Sequence, residues 1–322
     1  MSKDWDVTEC GDLARWDEFV LRSPQRSVFV QSRFLQALQA GYRLLVCLER
    51  GHIVAGAVVM MDEQGLPMRS VFPFTQYQGM LFADHAGMST HKRQARELRL
   101  AECLVAGLAE RYAGCCLCHS WRIPDLRAFQ WHNYHVPHSP RFRQDLRYSA
   151  VLTRESWGSP QAHLAAVRSV RRQEYHKAMQ GLQSLEQADA AVLVELYRRT
   201  FARQQIAVPD QEIRLVRALM EASCAGGFGK MAVAAMLDGT PVSAVLFLQD
   251  DRSAYYLFGA NDPQYRHCFG GTFLLMHMIA DAFDRGCQEV DLVGVNSPNR
   301  GDFKLSLNAE LRPYFISTLE AA

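Results

Sequence analysis

The feature that most narrows what this chain can fold into is a pair of hairpins that repeat one another. Residues 47–60 read CLERGHIVAGAVVM and residues 235–248 read AMLDGTPVSAVLFL. Each is a strand, a turn carrying an acid or base beside a glycine, and a second strand of small and β-branched residues. Each is followed by a strand, a long helix, a Gly-Cys pair (Gly114-Cys115 and Gly286-Cys287) and another strand. Similarity at so long an interval reads as a duplicated unit. The alternation of helical and strand patterns predicts an α/β (α+β) architecture, with mixed central sheets flanked by helices.

The chain has 322 residues, enough for two hydrophobic cores. A first domain over 1–152 and a second over 153–322 fit the repeat, with the C-terminal strand a candidate to return to the first domain. Gly158-Ser159-Pro160 marks the break. Apolar spacing predicts helices over Asp12–Leu21, Ser32–Ala40 and 90–113. In the second half it predicts Ser159–Gln180 with Leu164, Val167 and Val170 inward, then Ala188–Gln204, Ile213–Ala222 and Gly271–Asp284. Strands are expected over Ser253–Gly259 and Glu289–Gly294.

Charge excludes some partners. Lys and Arg total 35 against 34 Asp and Glu, which leaves no electrostatic footprint for DNA and weighs against tRNA. No run approaches the roughly 18 apolar residues of a membrane span, and the acidic start, Asp4-Trp5-Asp6, does not resemble a signal peptide. The expected location is the cytoplasm. Nine cysteines scattered through apolar segments read as reduced, buried thiols. Cys115, Cys118 and His119 satisfy C-x-x-C-H, a haem-attachment pattern, yet the segment reads as an interior strand. His132, His135 and His138 could hold zinc, but Pro137 prevents a helix from aligning them. No metal and no permanently bound cofactor are expected.

Three constellations carry chemistry. Gly270 and Gly271 stand between an extended segment and a helix, where backbone N–H groups can approach a phosphate closely; the bland alternative is a turn that starts a helix. Lys304 is one of five lysines among 35 basic residues, so a compact point charge after the loop GVNSPNRGD is a choice against arginine; the alternative is a solvated surface lysine. On a helix, Arg168, Arg171, Arg172 and Tyr175 fall near one face and could clamp a phosphate or carboxylate; the alternative is a wet cationic face. Tyr255, Tyr256 and Asp291 are candidates to handle a proton.

Residues about 164–315 resemble the BioF2-like/GNAT acetyltransferase family, related to the FemABX peptidyltransferases. The resemblance is carried by VRSVRRQEYHKAMQGL, the second hairpin, YYLFGANDPQYRHCFGGTFLL and FKLSLNAELRPYF. It implies two GNAT-like domains, the first a diverged copy, and transfer of an acyl or aminoacyl group to an amine. In that family [QR]-x-x-G-x-[GA] grips the pyrophosphate of acetyl-CoA. The matching positions are His267, Gly270 and Thr272, with Gly271 between them and Arg266 one residue early, a degenerate match. The resemblance also implies that Lys304 lies by the reacting carbonyl and that Arg171 with Tyr175 holds a phosphorylated acceptor. The expected catalytic set is Lys304, Tyr256 and Asp291. The expected activity moves an acyl group, acetyl foremost, from acyl-CoA to the amine of a small phosphorylated or nucleotide-linked acceptor, as in envelope polysaccharide biosynthesis. The rivals are an aminoacyl-tRNA-dependent transferase and a non-catalytic scaffold of envelope polysaccharide assembly.

Overall fold

A computed structural model describes residues 5–186, 189–203 and 205–320. The chain divides into two compact units, residues 1–147 with 313–322, and residues 148–312.

The first unit opens with β1 (Asp6–Glu9), α1 (Leu13–Arg22), α2 (Ser32–Ala37), β2 (Tyr42–Glu49), β3 (His52–Met60) and β4 (Met80–Phe82). These strands form an antiparallel sheet in the order β1-β2-β3-β4. The 22-residue α3 (Thr90–Arg111) leads to β5 (Cys115–Cys118) and the short α4 (Arg127–Trp131). The core gathers Leu45, Cys47, Ala55 and Ala57 from the hairpin with Leu100, Leu104 and Leu108 from α3. Gly56 makes room for α1, since a Cβ there would lie 2.7 Å from the Trp16 ring. β5 pairs antiparallel with β12 (Glu310–Glu320), from Cys115↔Leu319 to Cys118↔Ile316. Cys115, Cys118 and His119 are therefore interior: burial pushes both thiols up to about 12 and His119 down to about 3.

β6 (Arg141–Thr153) begins in the first unit and ends in the second. The second unit continues with α5 (Arg154–Trp157), α6 (Pro160–Ala166), α7 (Ser169–Ala178), β7 (Leu182–Glu186), α8 (Ala190–Ala202) and α9 (Asp210–Ala225). The second hairpin is β8 (Gly229–Met236) and β9 (Pro241–Gln249), followed by β10 (Ser253–Asn261), α10 (Gly270–Asp284), β11 (Glu289–Asp291) and α11 (Pro298–Leu305). The strands run β6-β11-β10-β9-β8-β7, antiparallel except for β10 beside β11. A parallel pair needs a crossover, and α10 supplies it. The apolar face of α10, with Phe273, Leu274, Met278 and Ile279, packs in one core with Val245 and Phe247 of β9.

Both hairpins occur where the repeat predicts them, each with a register shift near its turn, at Cys47/Leu48 and at Ala234/Ala235. Several boundaries differ. The helix expected over Ser159–Gln180 is two helices. Arg168 between them is extended (φ −52°, ψ 140°), and its N–H donates to the Ser306 carbonyl at 2.9 Å. Of the three valine and leucine positions expected inward, Val167 is buried but Val170 is 38% exposed. The segment expected as a loop before Lys304 folds into α11, with Pro298 in its first turn, a position where the fixed φ of proline favours a helix start. The strand expected to reach Gly294 stops at Asp291. Residues 1–4, 188 and 204, on which the N-terminal and α8 expectations partly fall, lie outside the described residues. Among the described residues no helix is long and apolar enough to cross a membrane, and no cluster of His, Cys, Asp or Glu could hold a metal, the His132–His138 loop included.

Candidate active site

The second unit parts two parallel strands. β10 and β11 pair over only three residues, Ser253↔Glu289, Ala254↔Val290 and Tyr255↔Asp291. β10 then runs on against β9 as far as Asn261, whereas the chain after Asp291 turns away. Val293 and Gly294 both take positive φ, 51° and 45°. A β-branched residue in the left-handed region is strained, and the surroundings impose it. The Asp291 carboxylate, 2% exposed, accepts the Val293 N–H at 2.8 Å and the Ser149 hydroxyl. Leu292 N–H donates to the Ala150 carbonyl at 2.8 Å, and the Asn296 amide bonds both the N–H and the C=O of Tyr148. The edge of β10 beyond Tyr255 is thus left without a strand partner on that side among the described residues.

Against β9 the same stretch of β10 carries a bulge, because Tyr256 pairs with Phe247 but Phe258 with Leu246, leaving Leu257 extra. Bulges re-aim backbone groups and cluster beside active sites. Tyr256 curls over Gly259, where an added Cβ would lie 1.7 Å from the tyrosine hydroxyl. The Lys304 ammonium sits 5.1 Å from the centroid of the Tyr256 ring and donates to the carbonyls of Val293 and, at 3.3 Å, Gly294. Lys304, Tyr256 and Asp291 therefore belong to one connected set: Asp291 fixes the turn whose carbonyls fix the lysine.

At the far end of β10 the chain reaches α10. Phe269 takes the left-handed conformation (φ 60°, ψ 32°), and no side chain caps the helix at that residue. The first backbone N–H groups of a helix have no intrahelical acceptor, so those of Gly270, Gly271 and Thr272 form a small donor array with the positive end of the helix dipole behind it. Gly270 packs closely, its missing Cβ 2.8 Å from the Cβ of Ser243. Arg266 and His267 are exposed just before the turn, and the Lys177 ammonium lies 5.3 Å from the Phe269 ring. Thr272 is buried, and its hydroxyl donates to Glu174 at 2.7 Å.

The arginines expected on one face of a helix are dispersed. Arg168, outside the helix, forms a two-pronged pair with Asp302, both bonds 2.9 Å. Arg172 turns back to the Ala165 carbonyl at 2.9 Å, closing the C-terminal end of α6. Arg171 is paired with Glu174 at 2.5 Å, and its guanidinium lies 5.0 Å from the centre of the Phe303 ring. Tyr175 stacks on Phe273 and lines a groove of about 420 Å³ between α6, α7 and the C-terminal half of α10. Trp157, Leu164, Met276 and His277 also line that groove, but none of the strand-edge residues does. Tyr255 leaves the set of proton carriers, because its buried hydroxyl donates to Asp250 at 2.9 Å and burial, with the Asp250 charge, pushes it well above the ordinary tyrosine range.

Residues 165–305 match the family described as acetyltransferase (GNAT) domain. The whole architecture is similar to the crystal structure of FemX, with a TM-score of 0.69, 13% identity and 96% of each chain covered. It is also similar to a tandem GNAT protein from the clavulanic acid biosynthesis pathway, solved without AcCoA (TM-score 0.54, 12% identity, 99% of each chain). The chain has a tandem GNAT fold. A further similar structure is the C-terminal domain of a putative lysylphosphatidylglycerol synthetase from Agrobacterium fabrum (TM-score 0.53, 13% identity, 95% of this chain and 90% of that one). No curated protein matches the sequence.

Within this GNAT fold, sequence reasoning missed the residues that shape the site without facing it. Glu174 was visible only as a neighbour of the arginines; its pairing with Thr272 joins elements 98 positions apart. Ser149, Asn296 and Leu257 left no local signal, since a bulge and a buried side-chain network arise from packing.

Proposed function

We propose that this protein is an N-acyltransferase that takes an acyl group, acetyl foremost, from acyl-CoA to the amine of a small acceptor. The observation that carries the reading is a bulged strand, uncovered on one edge, followed by a glycine-started helix, inside the segment that matches a GNAT domain. The donor's diphosphate would lie on the N–H groups of Gly270, Gly271 and Thr272, with Arg266 and His267 at its rim. Its thioester would lie along β10 near Leu257. The amine attacks the carbonyl carbon, charge develops on the carbonyl oxygen, and the Lys304 ammonium offsets it. As the carbonyl re-forms, the C–S bond breaks and Tyr256 gives its proton to the departing thiolate, while the proton lost from the attacking nitrogen restores the phenol. Asp291 acts through the Val293 turn as a positioning residue. The acceptor is a phosphorylated or nucleotide-linked amine, and envelope polysaccharide assembly in the cytoplasm is the setting we favour; Arg171, engaged by Glu174, and Tyr175, in a groove apart from the strand edge, do not form the expected clamp on it. Nine free cysteines support a reducing compartment.

Calorimetric titration with acetyl-CoA, followed by thiol release in the presence of amino-sugar nucleotides, tests this. Saturable binding together with amine-dependent thiol release supports it, and the absence of any heat with acetyl-CoA overturns it. The likeness to FemX favours a second reading, an aminoacyl-tRNA donor, which predicts activity that disappears on ribonuclease treatment.

A further inference from the structure

We infer that Glu174 sets donor selectivity at this site by holding a negative charge against the turn that would receive the diphosphate. The inference rests on the acyl-CoA reading and adds a residue to it. Glu174 lies on α7, its side chain only 13% exposed. One oxygen, Oε2, accepts both the Thr272 hydroxyl at 2.7 Å and an Arg171 N–H at 2.5 Å. Thr272 is the third residue of α10, so the carboxylate stands beside the first turn, where the helix dipole already attracts it. A second anion arriving at the N–H groups of Gly270 and Gly271 meets that charge. Arg171, bonded to the same oxygen, offsets part of that charge, but it is held by Glu174 and against Phe303 rather than offered to the newcomer. A donor that touches this turn with a neutral group meets no such repulsion. The side chain thus grades donors by the charge they bring to α10, and a diphosphate binds well only once Glu174 gives way.

Glu174→Gln keeps an acceptor for Thr272 while removing the charge and releasing Arg171. By calorimetric titration, coenzyme A should bind this variant about fivefold or more tightly than wild type, the scale of one unit charge about 4 Å away screened as in bulk water. Pantetheine, which lacks the diphosphate, should bind both alike, a distinction that a purely structural role would not produce. Glu174→Ala must show the same gain for coenzyme A. Unchanged or weaker coenzyme A binding in both variants overturns the role of Glu174 and leaves the acyl-CoA reading standing, as does an equal gain with pantetheine. If neither wild type nor variant titrates with coenzyme A, the acyl-CoA reading falls and takes this inference with it.

Discussion

A lysine held by two carbonyls and a ring has little freedom, and that confinement makes Lys304 testable. Replacing it with methionine keeps the length and removes the charge, so turnover should fall about tenfold or more, the scale of losing one oxyanion donor. An unchanged kcat would remove Lys304 from the reaction. Gly259 makes a separate test of Tyr256. The nearest atoms to an alanine Cβ there are the hydroxyl and the adjoining ring carbons of that side chain, so Gly259→Ala should displace the hydroxyl and lower kcat while leaving Tm within about 2 °C. In the first unit, His119 links stability to acidity. The unfolded imidazole takes its proton near 6.5, the folded one only near 3, because burial disfavours the charge. The stability contributed by neutral His119 is therefore complete above 6.5 and is lost as the pH falls below it. Tm should drop from about pH 6.5 down towards about pH 3, and His119→Gln should flatten part of that slope.

At the scale of elements, the close fit of α10 on β9 decides what its first turn tolerates. Gly270→Ala drives a Cβ to 2.8 Å from that of Ser243, a backbone-anchored neighbour that cannot swing aside, so a loss of about 1–3 kcal/mol in unfolding free energy is expected. Chemical denaturation measures it. The elements whose signal is local were legible in the sequence: the two hairpins through their turns and β-branched runs, α3 and α10 through apolar spacing, and the start of α10 through its glycines. The break between α6 and α7 was not, because Val167 and Arg168 continue a helical pattern and only the tertiary bond to Ser306 draws the backbone out of it. The same holds for the arginines, which the sequence spacing put on one face and which packing disperses to Asp302, Glu174 and Ala165. Lys304 and Tyr256 were found as separate residues; their meeting over the Val293 turn depends on a strained backbone that no local pattern announces.

For the molecule as a whole, the return of the last strand couples the two ends of the sequence. Tyr314 and Leu319 are buried in the first unit, and β12 supplies the backbone partners of β5. A chain ending after Arg312 would leave β5 with an open edge and its thiols within reach of solvent. Cys115 and Cys118 should then react with a thiol reagent far faster than in the full-length protein. Equal rates would show that β5 is covered by other means.

That closing strand also orders events during translation. The amino-terminal half leaves the ribosome first, but its strand β5 has no partner until residues 316–319 have been made, after every residue of the carboxy-terminal half. The later-synthesised half is free to mature while the earlier one waits, so a nascent chain stalled before that point should tie up chaperones through its opening residues.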